Sequence, residues 1–217
     1  MTIQKMCFAL AVNAVIAVAA HAAGPNPAAL DKAAAAASQS SFRDEGIVKI
    51  SVLDTDKTNK DCSAADVRGK PLDKKAIKAI ETANLKTIQM PPDGKYMGDW
   101  KEGEKVAQSG RGLTFTDDAK TVNGGNCYNC HQIDKKEISF GTIGPSLYNY
   151  GKLRGVTDPT SPAAKPVVDY TWGKIWNAKA YNACSNMPRA GHMGILNAAQ
   201  IADVMALLLD PKSPVNQ

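Results

Sequence analysis

Aromatic residues are scarce in this chain: Phe, Trp and Tyr together make up 6% of its 217 residues. A core short of rings must be filled by aliphatic side chains or by a bulky group that the chain does not encode. Charge of one sign is lacking too. With 26 basic against 21 acidic residues the formal net charge is +5, too mild to argue for a nucleic-acid partner. No run of membrane-spanning length comes after the first 22 residues, so the mature chain is expected to have no membrane span. The 44% hydrophobic content suffices for one ordinary globular core with an appendage, and two large domains are not expected.

The first residues have the layout of a secretory leader. Lys5 precedes an apolar, alanine-rich run from Met6 to Ala20, and the small-residue site Ala20-His21-Ala22 comes next. Residues 1–22 are therefore expected to be a signal peptide, and the product to be soluble in the periplasm. An uncleaved anchor is the rival. Cys7 stands at the start of the run, whereas a lipid-modified cysteine would stand at its end. Loss of Lys5 lowers the formal charge to +4.

Five cysteines become four once Cys7 leaves. Cys127 and Cys130 belong to a C-x-x-C-H motif, which leaves Cys62 and Cys184 as a candidate disulfide in an oxidising compartment, or as two free thiols. A bridge would tie the N-terminal region to the loop around Met187.

Residues 25–41 are alanine-rich and read as a short helix or a linker. Residues 47–53 (IVKISVL) are rich in β-branched side chains and read as a short strand. Over 73–88, Ile77, Ile80, Leu85 and Ile88 fall on one helical face and Lys74, Lys75, Lys78 and Glu81 on the other. The apolar stripe is either core or a docking face for a partner. The sequence Met90-Pro91-Pro92-Asp93-Gly94 breaks the helix, so residues 23–97 read as an N-terminal extension and 98–217 as the main domain. In that domain helices are expected over 99–108, 169–180 and the segment after Asn197, which caps with Gln200 three residues on and carries Ile201, Val204, Leu207 and Leu208 as its buried stripe. The fold class is all-α with long loops.

Cys127-Tyr128-Asn129-Cys130-His131 is a C-x-x-C-H pentamer, the attachment motif of c-type haem. Cysteines at i and i+3 on one turn reach the two vinyl groups, and the next residue directs its imidazole at the iron. A thiol–disulfide motif would open a helix in a βαβ setting, of which there is no sign. A zinc site would need His192 and Cys184 to complete its ligands. The remaining rival is a haem with an open sixth position, suited to binding gas or peroxide. The second axial ligand decides between that and electron transfer. Among Met90, Met97, Met187, Met193 and Met205, the last sits beside the apolar stripe of the final helix and reads as core. Met187 precedes Pro188, which disfavours helix, so it lies in a loop free to offer its sulfur; His192 and Met193 are nearby alternatives. In the turn Gly141–Leu147, Pro145 lacks an N–H, and its carbonyl is the expected acceptor for the other ring nitrogen of His131, unless Gly144-Pro145 is merely a turn.

The segments GNCYNCH, GTIGPSLYNYGKLRG and AYNACSNMPRAGHMGILNAAQIADVMALLLDPKSPVN closely resemble the SoxX family, the smaller cytochrome subunit of the SoxAX complex of bacterial sulfur oxidation. The resemblance covers about 98–217. It implies a class I cytochrome c fold whose first and last helices cross, one haem c on Cys127 and Cys130, and iron ligation by His131 and Met187. It further implies a SoxA-type cytochrome as heterodimer partner, which performs the sulfur chemistry of an L-cysteine S-thiosulfotransferase. Thiosulfate is joined to a cysteine of the SoxYZ carrier, and the electrons pass through this chain to a small soluble cytochrome. No residue here looks like the sulfur-handling cysteine. Residues 23–97 depart from shorter members, and their apolar stripe suggests that they wrap onto the SoxA subunit. A free-standing monohaem carrier of another respiratory chain is the competing function.

Overall fold

The computed structural model describes residues 26–217. The expected leader, with Lys5, Cys7 and the Ala20-His21-Ala22 site, lies outside the described residues. The chain divides into two units, Met1–Ser41 and Phe42–Gln217. In the first, helix α1 spans Pro27–Ser41 and buries no residue. High alanine propensity forms it, with Pro27 in its first turn and the Asn26 side chain accepting the Ala28 amide.

The second unit contains α2 (Lys57–Val67), α3 (Lys74–Leu85), α4 (Trp100–Gln108), the short α5 (Tyr150–Leu153), α6 (Lys165–Trp176) and α7 (Ala198–Leu209). Among the described residues there is no β-strand, and the fold class is all-α as read. The strand expected over 47–53 is not formed. Val48 makes an isolated bridge to Glu45, and Ile50–Leu53 winds into a 3₁₀ turn whose Ile50 amide is taken by Asp44. Val52 stays 71% exposed. Without a neighbouring strand to complete a ladder, β-branched composition does not make a sheet.

The core is built on the crossing of α4 and α7. Gly103 lets the two backbones touch, since a Cβ there would lie 2.6 Å from the Asp203 carbonyl carbon and closer still to its oxygen. The Gly98 amide donates to the Ala202 carbonyl and the Asp99 amide to the Asp203 carboxylate. α7 begins with the expected capping box of Asn197 and Gln200. Its Ile201, Met205, Leu207 and Leu209 are fully buried, each contributing about 1.5–3 kcal/mol of apolar transfer. Met205 is thus core, as read.

Helix α6 begins earlier than the 169–180 expected, and it also ends earlier, at Trp176, because of Asn177. It is fully buried in an extended conformation, where its Nδ2 donates to Asn84 Oδ1 and Thr87 Oγ1, and its Oδ1 accepts the Lys179 amide to start a new 3₁₀ turn, Ala178–Ala180. α3 likewise stops at Leu85, before the end of its apolar stripe. The next carbonyls turn to face tryptophans: Trp176 Nε1 donates to Thr87 O and Trp172 Nε1 to Gln89 O.

These bonds, with the Cys62–Cys184 disulfide, join residues 42–97 to the C-terminal half. Residues 42–97 and the C-terminal half lie in the one unit Phe42–Gln217. The stripe of α3 is split accordingly. Ile88 packs on the core, whereas Leu85 is 53% exposed.

Candidate haem-attachment site

Three elements converge on the Cys127–His131 pentamer. The approach is fixed by the end of α4: Gly125 N donates to Val106 O, Asn126 N to Ser109 O and Gly124 N to Arg111 O. Asn126 then takes a left-handed conformation with φ 49°, which Asn tolerates better than most residues, and reverses the chain into a 3₁₀ turn over Cys127–Asn129. Both Cys130 N and His131 N donate to Cys127 O, so the cysteines sit one turn apart.

The loop 141–147 is laid along this turn by three backbone bonds, Gly141 N to Tyr128 O, Gly144 N to Cys130 O and Leu147 N to Gln132 O. It brings the Pro145 carbonyl to 2.7 Å from His131 Nδ1. The bare face of Gly144 lies against the imidazole, where a Cβ would come within 2.7 Å of Nε2 and nearer to Cε1. A carbonyl can only accept, so Nδ1 carries the proton and the Nε2 lone pair is left for a metal.

Cys127 and Cys130 are bridged neither to each other nor to another cysteine. Burial pushes the Cys127 thiol up to about 11, whereas a thiol–disulfide catalyst needs a lowered one. Among the described residues no group of three or more His, Cys, Asp and Glu side chains is arranged to hold a metal ion. Two unbridged thiols one turn apart, next to an imidazole oriented by a carbonyl, fit a covalently attached porphyrin.

Met187 lies in the helix-free stretch between Ala180 and Ala198 and packs, half-buried, against the same core cluster as Cys127. Of the alternatives, Met193 is 55% exposed and His192 is exposed. Met90 is exposed and accepts from the Tyr96 hydroxyl, while Met97 is half-buried against the core beside the crossing of α4 and α7.

Cys62 and Cys184 are joined by a disulfide across 122 residues. Two further features escaped the sequence reading. Arg189 pairs with Asp56, the N-cap of α2, a contact between residues 133 apart for which local pattern offers no signal. Asn216, itself buried, donates to Leu208 O and Asp210 O at the end of α7 and accepts the Gly151 and Lys152 amides of α5.

Residues 116–211 match the family model for cytochrome c. A protein of Aquifex aeolicus (strain VF5), described as an uncharacterized lipoprotein, is 38% identical over 138 residues, which are 60% of this chain and 59% of that protein. The chain thus spans about three fifths of the length of the curated relative it matches. The pentamer, the Pro145 turn and Met187 all fall inside this segment, so the site lies in the part of the chain that is similar to cytochrome c.

Proposed function

We propose that this chain is the electron-transfer subunit of a SoxAX-type complex, with one haem c bound through Cys127 and Cys130 and its iron held between His131 and Met187. The observation that carries the haem reading is the His131 imidazole, with Nδ1 on the Pro145 carbonyl, beside two unbridged thiols. The narrower assignment draws on the resemblance of the segments around Cys127, Pro145 and Met187 to SoxX.

When bound, the haem supplies a one-electron iron couple, whose potential a thioether ligand raises. The protein does the rest. Pro145 fixes the His131 tautomer and ring plane, and Gly144 leaves room for the ring to lie flat against the loop. Cys127 packs against the buried cluster to which α6 and α7 contribute, which keeps water from that side of the site. The chain hands on the electrons released when a SoxA-type partner joins thiosulfate to the carrier cysteine of SoxYZ, and the next acceptor is a small soluble cytochrome. In this reading it contributes to an L-cysteine S-thiosulfotransferase without touching sulfur itself.

Export to the periplasm agrees with the Cys62–Cys184 disulfide, which persists in oxidising compartments. The lipoprotein description of the Aquifex relative points to the cell envelope as well. No helix of the described residues is long and apolar enough to cross a membrane.

The test is purification of the native protein with a haem stain and identification of what copurifies. A second c-type cytochrome with thiosulfate-dependent haem reduction is expected. A haem-bearing lone monomer would favour a free-standing carrier, and a polypeptide without covalent porphyrin mass would end the haem reading.

A further inference from the structure

The loop that bears Met187 is gripped from both sides by one helix. Cys62 of α2 is bonded to Cys184, three residues before Met187, and the N-cap of the same helix, Asp56, pairs with Arg189, two residues after it. Four residues lie between the two anchors. The Arg189 side chain is 11% exposed, so its charge has little water to fall back on if the pair opens. A third link comes from below: buried Lys179, on the 3₁₀ turn after α6, donates to the Ala183 carbonyl at 3.3 Å. Within the loop, the Met187 amide donates to Ser185 Oγ at 3.2 Å.

None of these contacts belongs to the Cys127–His131 turn, and two of them come from the part of the chain outside the cytochrome c match. A thioether is a weak neutral donor that any stronger ligand displaces if its loop swings away. What opposes displacement is then the free energy of opening the loop, and here that loop is cross-linked rather than only packed.

We propose that α2 is a clamp on the sulfur ligand, in which Cys62 and Asp56 act as positioning residues that hold the 184–189 segment so that Met187 stays on the iron. The proposal rests on the reading of Met187 as the axial ligand, and its test separates the two. A helix from the N-terminal region thereby takes a part in setting the ligation state of the haem, beside any role in docking.

Imidazole is titrated into the ferric, full-length holoprotein, and the red charge-transfer absorption of the iron–thioether bond is monitored. Cys62→Ser with Cys184→Ser removes one anchor. Asp56→Asn removes the other while leaving an equally good cap on α2, so that the helix itself persists. Each is expected to lose the band at an imidazole concentration lower by about tenfold, a fraction of what closing so long a chain loop is worth. Asp56→Glu, which keeps the charge, should recover part of the difference. The clamp is overturned if both variants titrate like the parent, or if they only lower the urea midpoint for unfolding. Met187→Ala is the control: should that variant keep the band, the ligand assignment fails first, and the clamp with it.

Discussion

At the scale of single residues, the site depends on one hydrogen bond and one missing side chain. His131 keeps its Nε2 free because Pro145 can offer only an acceptor, and the imidazole fits only because residue 144 has no Cβ. Gly144→Ala should push the ring off the Pro145 carbonyl, at a cost of about 1–3 kcal/mol for overpacking. Urea denaturation should show the lost stability, and the pyridine haemochrome assay a lower haem content per chain. Met187→Ala should leave the haem attached but open the iron: reduced variant binds carbon monoxide at neutral pH, whereas the parent does not. Carbon monoxide binding by the parent would instead support ligand chemistry. The pentamer was legible in the sequence because covalent attachment imposes a fixed local spacing, and Pro145 because a residue without an N–H can offer only its carbonyl. The role of Gly144 was not, since its lack of a Cβ matters only once the loop lies against the imidazole.

Helices were legible where they cap and stop by local chemistry. α4 starts at Asp99, whose carboxylate accepts the Lys101 amide, and α7 starts with its capping box. Asn197→Ala should cost about 1 kcal/mol of stability, read from the thermal or urea midpoint. Gly103→Ala is expected to cost more, about 1–3 kcal/mol, because its Cβ would meet Asp203 backbone, which cannot rotate away. A substitution as mild as Gly to Ala usually helps a helix by propensity, so a stabilised variant would deny that α4 and α7 touch at this point. At 47–53 no neighbouring strand is there to complete a ladder, whereas at the end of α3 and at Asn177 the outcome was decided by partners far along the chain. The indole N–H groups of Trp172 and Trp176 claim carbonyls at Gln89 and Thr87, and Asn177 satisfies Asn84 and Thr87 by giving up the rest of α6.

Within the second unit, residues 42–97 are bound to the C-terminal half by a disulfide, an ion pair and buried amide and indole hydrogen bonds. The ion pair makes part of this pH-sensitive. Burial works against the charge on Asp56, yet the Asn59 amide, Arg189 and Lys179 outweigh it and hold the carboxyl below the ordinary value of 3.8. A depressed folded-state value means stability present above the unfolded value and lost as pH falls through the folded one. The parent should therefore exceed Asp56→Asn in urea stability near neutrality, with the gap closing below about pH 4. A gap that widens on acidification would contradict the pairing. Local spacing alone determined the all-α class, the C-x-x-C-H turn and the capped final helix, because each is set by residues within a few positions of one another. Only the tertiary structure decided that α2 grips the Met187 loop and that residues 42–97 belong to one unit with the C-terminal half. Charge pairing across 133 residues and indole bonds to distant carbonyls exist only once the chain has closed on itself.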